Sequence, residues 1–228
     1  MIITGTRKGI GRHLVDHYRA QGYVICGCSR QPVEESIEGY EHHCLDVADE
    51  QAVHQMITAV HKRHGRIDIL LNNAGIASMN HVLLTPLRTV QSVFATNVFG
   101  TFVFAREAAK VMSTRRYGRI VNFATVATPL KLEGEAAYAA SKAAVKSLTE
   151  VMAKELAPFN ITVNAVGPTP VKTDLIKNVP KSKIDALIGM QAVKRLGEFR
   201  DITVATDFFI RRDCDFITGQ TLYLGGVS

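Results

Sequence analysis

Short runs of apolar residues alternate along the chain with longer stretches in which apolar residues recur every three or four positions. The short runs predict buried strands, and the longer stretches predict amphipathic helices. Seven strands are predicted at residues 1–4, 23–28, 44–47, 67–72, 119–123, 161–166 and 221–224, and the main helices at 11–21, 50–64, 90–113, 136–157 and 200–211. This alternation is typical of repeated βαβ units with a mostly parallel sheet covered on both faces.

The alternation continues over residues 1–228 without an internal repeat, a low-complexity tract or a linker rich in Pro, Gly and Ser. We therefore expect a single domain. Right-handed crossovers make the doubly wound layout the economical topology, so we predict an α/β Rossmann fold with a seven-stranded parallel sheet and helices on both faces. Sites in such folds form at the carboxyl ends of the strands. Motifs that follow strands are therefore the main candidates for function.

Composition and charge narrow the class of protein. Of the 228 residues, 46% are hydrophobic and 21% charged, which is typical of a globular protein and excludes a disordered one. No apolar run reaches the roughly 18 residues of a membrane helix. The N-terminal residues do not resemble a secretory signal, so we expect a cytoplasmic protein without membrane contact. The net charge of +6 comes from scattered residues without a nucleic-acid-binding motif, and no nucleic-acid partner is expected.

The four cysteines are too few for a disulfide framework in a chain of this length. Cys26 and Cys28 would lie near His42, His43 and Cys44 if these segments formed neighbouring strands. Their spacings match no zinc pattern, and cysteine is often a small buried hydrophobic residue. We predict no metal site.

A glycine-rich segment, TGTRKGIG at residues 4–11, joins the first predicted strand to the first predicted helix. Glycines allow the backbone to turn tightly and approach a pyrophosphate, whose charge is attracted by the free N–H groups of the helix start. The spacing of Gly5, Gly9 and Gly11 differs from the common G-x-G-x-x-G fingerprint, and an ordinary turn would also use glycines. The position between strand and helix favours nucleotide binding.

The residues after the second predicted strand distinguish the two nicotinamide cofactors. A carboxylate there binds the ribose 2′-hydroxyl of NAD, whereas a basic group accommodates the 2′-phosphate of NADP. The chain has Ser29 and Arg30 at this place and no acidic residue before Glu34. Arg30 can form paired hydrogen bonds with phosphate, Ser29 can donate one, and Arg7 or Lys8 adds positive charge. We predict NADP(H), the alternative being that Arg30 is simply a solvated loop residue.

Tyr138 and Lys142 lie four residues apart in a predicted helix and therefore share one face. A phenol with an ordinary pKa near 10 is a poor acid at neutral pH. A nearby ammonium group would lower that pKa and make the phenol useful in acid/base catalysis. A Tyr–Lys pair on a solvated helix face is the alternative.

These motifs occur in an order that resembles the short-chain dehydrogenase/reductase family, over essentially the whole chain. The matching features are TGTRKGIG at 4–11, Asp46 with Val47, Asn72 to Gly75, Asn97, Thr125, Tyr138 with Lys142, the segment 164–168, the segment 218–220, and the glycine pair 225–226. Each motif is modestly specific alone, and the ordered set is highly specific.

The resemblance implies roles for the matched residues. Tyr138 would be the general acid/base, and Lys142 would bind the nicotinamide ribose and lower the pKa of the tyrosine. Asn97 would support a water-linked proton relay, and Thr125 would hydrogen-bond the substrate carbonyl. With the phosphate-binding candidates above, the expected cofactor-binding set comprises Gly5, Thr6, Arg7, Lys8, Gly9, Ile10, Gly11, Ser29, Arg30, Asp46, Val47, Asn73, Ala74, Gly75, Tyr138, Lys142, Pro168, Val171 and Thr173.

Two positions depart from the pattern of the family. Thr125 stands where the family normally has serine; it keeps the hydroxyl, but its methyl group takes space and restricts χ1. Thr169 replaces the glycine that commonly follows Pro168, which would shift the loop over the nicotinamide. We expect a tighter or altered pocket. A slowed or lost reaction is the alternative, and it would make the chain a dinucleotide-binding regulator.

The substrate is expected to be a small carbonyl compound reduced by NADPH. Residues 171–190 lie where the family has its substrate-covering loop, with Leu175, Ile176, Leu187 and Ile188 as pocket or packing residues and Lys172, Lys177, Lys181 and Lys183 as anion-binding or solvated residues. The pattern is most similar to the 3-oxoacyl-acyl-carrier-protein reductases, which implies a carrier-linked substrate. A dehydrogenase of a sugar, polyol or other small alcohol is the alternative.

Basic residues and apolar helices suggest two kinds of partner. Arg115 and Arg116 lie near the place where those reductases present basic residues to the acidic carrier, whereas Phe159 occupies a second such place. The family commonly assembles as tetramers by pairing the helices that carry Asn97 and Tyr138, so a homotetramer or homodimer is expected.

Overall fold

The computed structural model describes residues 1–33, 38–173, 176 and 179–227. Seven strands form one sheet in the order β3-β2-β1-β4-β5-β6-β7, and every neighbouring pair is parallel. Their bounds are β1 Ile2–Thr4, β2 Ile25–Ser29, β3 Tyr40–Cys44, β4 Ile69–Asn72, β5 Gly118–Phe123, β6 Ile161–Gly167 and β7 Thr221–Tyr223.

Helices cover both faces of the sheet, as the alternating pattern predicts. The α-helices are α1 Gly9–Ala20, α2 Glu50–His64, α3 Leu87–Phe94, α4 Gly100–Arg115, α5 Ala127–Leu130, α6 Ala136–Leu156, α7 Lys181–Met190 and α8 Phe199–Ile210. Apolar residues of α1 and α8 form one core with the sheet, and apolar residues of α2, α4 and α6 form a second core on the opposite face. The fold is therefore the predicted doubly wound, Rossmann-like one.

Two predicted elements differ from the structure. The third strand is Tyr40–Cys44 and not 44–47, because this edge strand is made of half-buried polar residues and lacks the apolar run that marks the others. The predicted helix 90–113 is α3 and α4 joined by a π-helical turn at Ala95–Phe99. Within the described residues, no helix is both long and apolar enough to cross a membrane.

The strand order reverses direction between β1 and β4, which is the switch point where ligands bind in doubly wound sheets. Two adjoining cavities open at this edge, with volumes of about 720 Å³ and about 610 Å³. The larger lies over the loops that follow β1, β2 and β4, and we call it the dinucleotide cleft. The smaller lies over the loops that follow β4, β5 and β6, and we call it the reaction cavity.

Candidate active site

The turn after β1 is packed so closely against the loop after β4 that glycine is required. Gly5 has φ of +72°, and a Cβ there would lie 2.9 Å from Ala74 Cα. A Cβ on Gly11 would lie 2.2 Å from the Gly5 carbonyl oxygen. The same loop is fixed by polar contacts, since Asn73 Nδ2 donates to Thr4 O (2.9 Å) and Ala74 N donates to Thr4 Oγ1 (2.9 Å). The glycine turn and the segment 73–75 are therefore held tightly against each other.

The structure brings nearly all of the predicted cofactor residues to the two cavities. The dinucleotide cleft is lined by Gly5, Arg7, Lys8, Gly9, Ile10, Ser29, Arg30, Asp46, Val47, Asn73, Ala74, Gly75 and Thr173. The reaction cavity is lined by Tyr138, Lys142, Pro168 and Val171 from the same set. Thr6 and Gly11 line neither cavity and are buried beneath the turn.

The cleft also contains Gln31, Leu45, Ile76, Thr96 and Phe199, which the sequence motifs do not indicate, and Lys172, which the sequence suggested as an anion-binding or solvated residue. Leu45 directly precedes the matched Asp46 and Ile76 directly follows the matched Gly75, so their places beside these motifs were a usable signal. Phe199 begins α8, far away in sequence, and only the packing of α8 beside α1 brings it to the cleft.

Ser29 and Arg30 differ in how the structure presents them. The Ser29 hydroxyl donates to the Gln31 carbonyl oxygen at 2.7 Å and lies 3.0 Å from His42 Nε2. Its one proton is thus already used within the protein, which argues against the predicted donation to phosphate. Arg30 is exposed at the rim of the cleft.

Tyr138, Lys142 and Thr125 converge on the reaction cavity. Tyr138 and Lys142 lie on one face of α6, and Lys142 Nζ, which is buried, donates to the carbonyl oxygen of Phe123 at the end of β5 (2.7 Å). Thr125 follows the same strand. Its hydroxyl accepts from Ala127 N (3.2 Å) and lies close enough to the Tyr138 phenol to lower the pKa of that group. The carboxyl end of β5 and one face of α6 therefore present a hydroxyl, a phenol and an ammonium group together.

Burial controls the proton affinities of these groups. Burial, with a smaller contribution from the Glu135 carboxylate, raises the pKa of Tyr138 to about 12, against a lowering by Thr125. Burial also lowers the pKa of Lys142 to about 8. The pKa of Tyr138 is raised here because desolvation outweighs the lowering by Thr125, and the lowering of this pKa by Lys142 in the complex with the cofactor stays a prediction.

Asn97 lies in the π-helical turn between α3 and α4, and its side chain holds two elements of the site. Its Oδ1 accepts from Ile76 N (2.9 Å), while its Nδ2 donates to Ile76 O (2.9 Å) and to Ser141 Oγ (3.0 Å). A Cβ on Gly75 would lie 3.3 Å from Asn97 Oδ1 and 3.4 Å from Lys142 Nζ. Asn97 thus ties the loop after β4 to α6, beside the lysine. The Asn97 side chain therefore positions these two elements, and its role in a water-linked proton relay stays a prediction.

The wall of the reaction cavity is mainly apolar. Its lining includes Ile76, Met79, Leu132, Ile176, Val179 and Leu187, and the charged residues Glu135 and Lys183. The burial that raises the pKa of Glu135 is opposed by Lys183, so these two charges interact. Leu175 and Lys177 lie outside the described residues.

Thr169, the second departure from the family pattern, is accommodated by two glycines. It is buried, and a Cβ on Gly197 or on Gly225 would lie only 2.8 Å from its side-chain atoms. The extra volume of threonine is thus taken up by the missing side chains of its neighbours.

In the sequence, Cys26 is a candidate metal ligand together with Cys28, His42, His43 and Cys44. The structure groups Cys26 with two other residues instead. Cys26, Glu41 and His64 have ligand-type atoms within 4.8 Å of one another. Glu41 is already bound by Arg63 (2.9 Å) and His64 (3.0 Å), and burial raises the pKa of the Cys26 thiol to about 11. The group is accounted for as an ion-pair cluster around Glu41.

Comparison with known proteins gives a consistent family. Residues 1–184 match the model of the family described as short chain dehydrogenase. The chain is 31% identical to the 3-oxoacyl-acyl-carrier-protein reductase of Staphylococcus epidermidis, over 99% of this chain and 96% of that protein.

Among solved structures, ElxO with NADP bound is similar with a TM-score of 0.89 and 31% identity, over 98% of this chain and 95% of that one. The ligand-free aldohexose dehydrogenase of Thermoplasma acidophilum is similar with a TM-score of 0.89 and 28% identity, over 99% and 92%. The family match, the switch-point cleft and the Tyr–Lys pair agree. This chain belongs to the short-chain dehydrogenase family and is an oxidoreductase.

Proposed function

We propose that the protein is an NADPH-dependent carbonyl reductase. The observation that carries this proposal is the convergence of Tyr138, Thr125 and Lys142 on a cavity that adjoins the dinucleotide cleft. A phenol, a hydroxyl and an ammonium group at this place suit a reaction in which a carbonyl oxygen gains negative charge and then a proton.

The residues of the cleft fit a nicotinamide dinucleotide. Gly5 and Gly9 have positive φ and bare Cα atoms where α1 begins, so a pyrophosphate can approach the backbone N–H groups. Arg30 and Arg7 line the adenosine side, which favours a 2′-phosphate and hence NADP(H). The structurally similar ElxO is described with NADP bound. The reduced cofactor supplies a hydride for the carbonyl carbon.

The residues around the carbonyl oxygen would handle the proton. With its pKa raised to about 12, Tyr138 is protonated at neutral pH and so can donate its proton. The Thr125 hydroxyl would donate to the carbonyl oxygen and stabilise the charge that develops on it. Lys142, with a pKa of about 8, stays mostly charged at neutral pH and stabilises the phenolate that remains.

We propose a 3-oxoacyl thioester, carried on an acyl carrier, as the substrate class. The apolar wall of the reaction cavity suits an acyl chain better than a polyol. Lys183 at the same cavity and the exposed Arg115 offer positive charge to an acidic carrier. Arg116 is less available, because its guanidinium donates to the Pro158 carbonyl oxygen at 2.7 Å. A reductase of this kind is among the relatives.

A sugar or polyol dehydrogenase is the second candidate, and the likeness to an aldohexose dehydrogenase favours it. Glu135, inside the reaction cavity, could accept hydrogen bonds from substrate hydroxyls. The two candidates differ in what the cavity wall must bind, so substrate comparison separates them.

The test is NADPH oxidation with acetoacetyl thioesters of acyl carrier protein and of coenzyme A, a neutral small ketone, and a set of sugar ketones. We expect the thioesters to give the highest kcat/KM. In the variant Lys183→Met, KM should rise for the anionic thioesters and stay unchanged for the neutral ketone. Oxidation of NADPH with sugar ketones only would replace the proposed substrate class by the second candidate.

We also propose that the chain assembles as a homotetramer or homodimer. Of the apolar stretch 93–104, Val93, Val103 and Phe104 are buried in their own subunit, while Phe99 and Phe102 are exposed. Val151 of α6 is exposed as well, so these two helices offer apolar surface to a second copy. Sedimentation velocity tests this, and a purified chain that remains monomeric would contradict it.

A further inference from the structure

A chain of hydrogen bonds runs beneath the dinucleotide cleft from the glycine turn to the loop that carries Arg30. Thr6 Oγ1 lies 2.6 Å from the Tyr40 hydroxyl, and this hydroxyl lies 2.6 Å from His42 Nδ1. His42 Nε2 lies 3.0 Å from the Gln31 carbonyl oxygen and 3.0 Å from Ser29 Oγ. We call these five side-chain and backbone groups the phosphate-loop relay.

The direction of every bond in the relay follows from one acceptor. The Gln31 carbonyl can only accept, so His42 Nε2 must carry a proton. Burial lowers the pKa of His42, which keeps the ring neutral and leaves Nδ1 as an acceptor. The Tyr40 hydroxyl must then donate to Nδ1 and accept from Thr6, whose hydroxyl also lies 3.3 Å from the Cys28 carbonyl oxygen. The relay is thus fully polarised in one sense, from Thr6 to the Gln31 carbonyl.

The relay requires close packing around the Tyr40 hydroxyl, which leaves no space for a side chain at position 27. A Cβ on Gly27 would lie 2.6 Å from this hydroxyl and 2.6 Å from Thr6 Oγ1. The bare Cα of Gly27 in β2 therefore leaves the space in which Thr6 and Tyr40 meet. Thr6 is itself buried, with 1% of its surface exposed.

The relay ends on both sides of Arg30. The Ser29 hydroxyl and the His42 ring converge on the Gln31 carbonyl oxygen, so the residues before and after Arg30 are both fixed. Arg30 itself is exposed at the rim of the cleft, where the backbone that carries it determines where its guanidinium can reach. The relay groups can therefore affect the position of the Arg30 guanidinium without touching the cofactor.

We infer that the phosphate-loop relay positions Arg30 and thereby determines the preference for NADP(H) over NAD(H), with Tyr40 and His42 as positioning residues. This inference rests on the proposed binding of a 2′-phosphate by Arg30. It predicts that damage to the relay weakens binding only of the cofactor that carries this phosphate, because NADH gains nothing from a correctly placed Arg30.

The experiment measures binding of NADPH and of NADH by isothermal titration calorimetry, which requires no substrate and no turnover. Tyr40→Phe and His42→Leu should each weaken NADPH binding about fivefold or more, the ratio that corresponds to one net hydrogen bond. NADH binding should stay unchanged. His42→Gln should lose less than His42→Leu, because its amide can still donate to the Gln31 carbonyl.

His43→Leu is the matched control, since His43 is the next residue of β3, points to the other face of the sheet, and has no hydrogen bond on its buried Nε2. Arg30→Ala tests the underlying cofactor proposal. If Arg30→Ala weakens NADPH selectively and the relay variants do not, the relay is overturned and the cofactor proposal stands. If the relay variants weaken both cofactors equally or unfold the protein, their role is structural and the inference is wrong. If Arg30→Ala affects both cofactors equally, the cofactor proposal itself fails.

Discussion

At the scale of single residues, Lys142 occupies an environment that makes its charge easy to lose. Lys142 is 4% exposed, its ammonium group donates to the Phe123 carbonyl oxygen, and burial lowers its pKa to about 8. Tyr138, whose pKa is raised to about 12, keeps its proton over the same range. Relative to their ordinary values, the pKa of Lys142 is thus lowered and the pKa of Tyr138 is raised.

This difference predicts one descending limb in the pH profile of carbonyl reduction. Below about pH 8 Lys142 is charged, and above it the charge that stabilises the tyrosinate is lost, so kcat/KM should fall as the pH rises through this value. Tyr138 remains a proton donor on both sides of the limb. The measurement is kcat/KM at constant ionic strength. A rate that stays level up to the range of an ordinary lysine would show that burial does not control this group.

The sequence predicted which side chains lie together in the site, but not their pKa values or their hydrogen-bond partners. The spacing paired Tyr138 with Lys142, the family resemblance added Thr125, and the structure brings all three to one cavity. The hydrogen-bond partner of Ser29 and the upward pKa shift of Tyr138 could not be derived from the sequence, for the same reason. Both depend on tertiary contacts, the Gln31 carbonyl in one case and desolvation in the other, which spacing along the chain does not contain.

At the scale of elements, α2 and α4 are joined by a buried carboxylate. Glu107 is 3% exposed and accepts hydrogen bonds from Arg106 (2.8 Å), Lys110 (2.7 Å) and His54 of α2 (3.0 Å). These three partners lower the pKa of Glu107 to about 2, against the opposing effect of burial. The carboxylate is therefore more stable in the folded protein than in the unfolded chain.

Glu107→Gln should lower the free energy of unfolding by about 2 kcal/mol at neutral pH, because hydrogen bonds to a charged group are lost. The folded pKa lies below the ordinary one, so this stabilisation is complete above the ordinary value and disappears as the pH falls toward about 2. Urea unfolding at a series of pH values measures it. Asp215→Asn, at an exposed carboxylate, is the control and should change little. A difference between the wild type and Glu107→Gln that does not narrow in acid would contradict this account.

Elements with strong apolar periodicity were predictable, and those at the edges were not. β4, β5 and β6 are buried along their whole length and appear in the sequence as mainly apolar runs with a few polar residues. β3 has partners on one side only and consists of half-buried polar residues, so its register could not be found from hydrophobicity. The π-helical turn that carries Asn97 is also invisible to a simple helical period.

At the scale of the whole molecule, the order of the strands determines where the cleft and the reaction cavity form. Reversal of the winding between β1 and β4 opens the cleft, and the carboxyl ends of β5 and β6 form the reaction cavity beside it. The alternation of strands and helices predicted this topology, since right-handed crossovers leave few other arrangements. The substrate was not predictable in the same way, because the cavity wall comes from separate segments whose apolar residues have no common spacing.

The most direct test of the account is the rate of NADPH oxidation by Tyr138→Phe with the best thioester substrate, measured beside the wild type under saturating NADPH. The phenylalanine keeps the ring and removes only the proton donor. We predict a loss of about a hundredfold or more in kcat, the usual contribution of a general acid, with NADPH binding unchanged. A variant that turns over at the wild-type rate would show that the proton comes from another group and that the proposed mechanism is wrong.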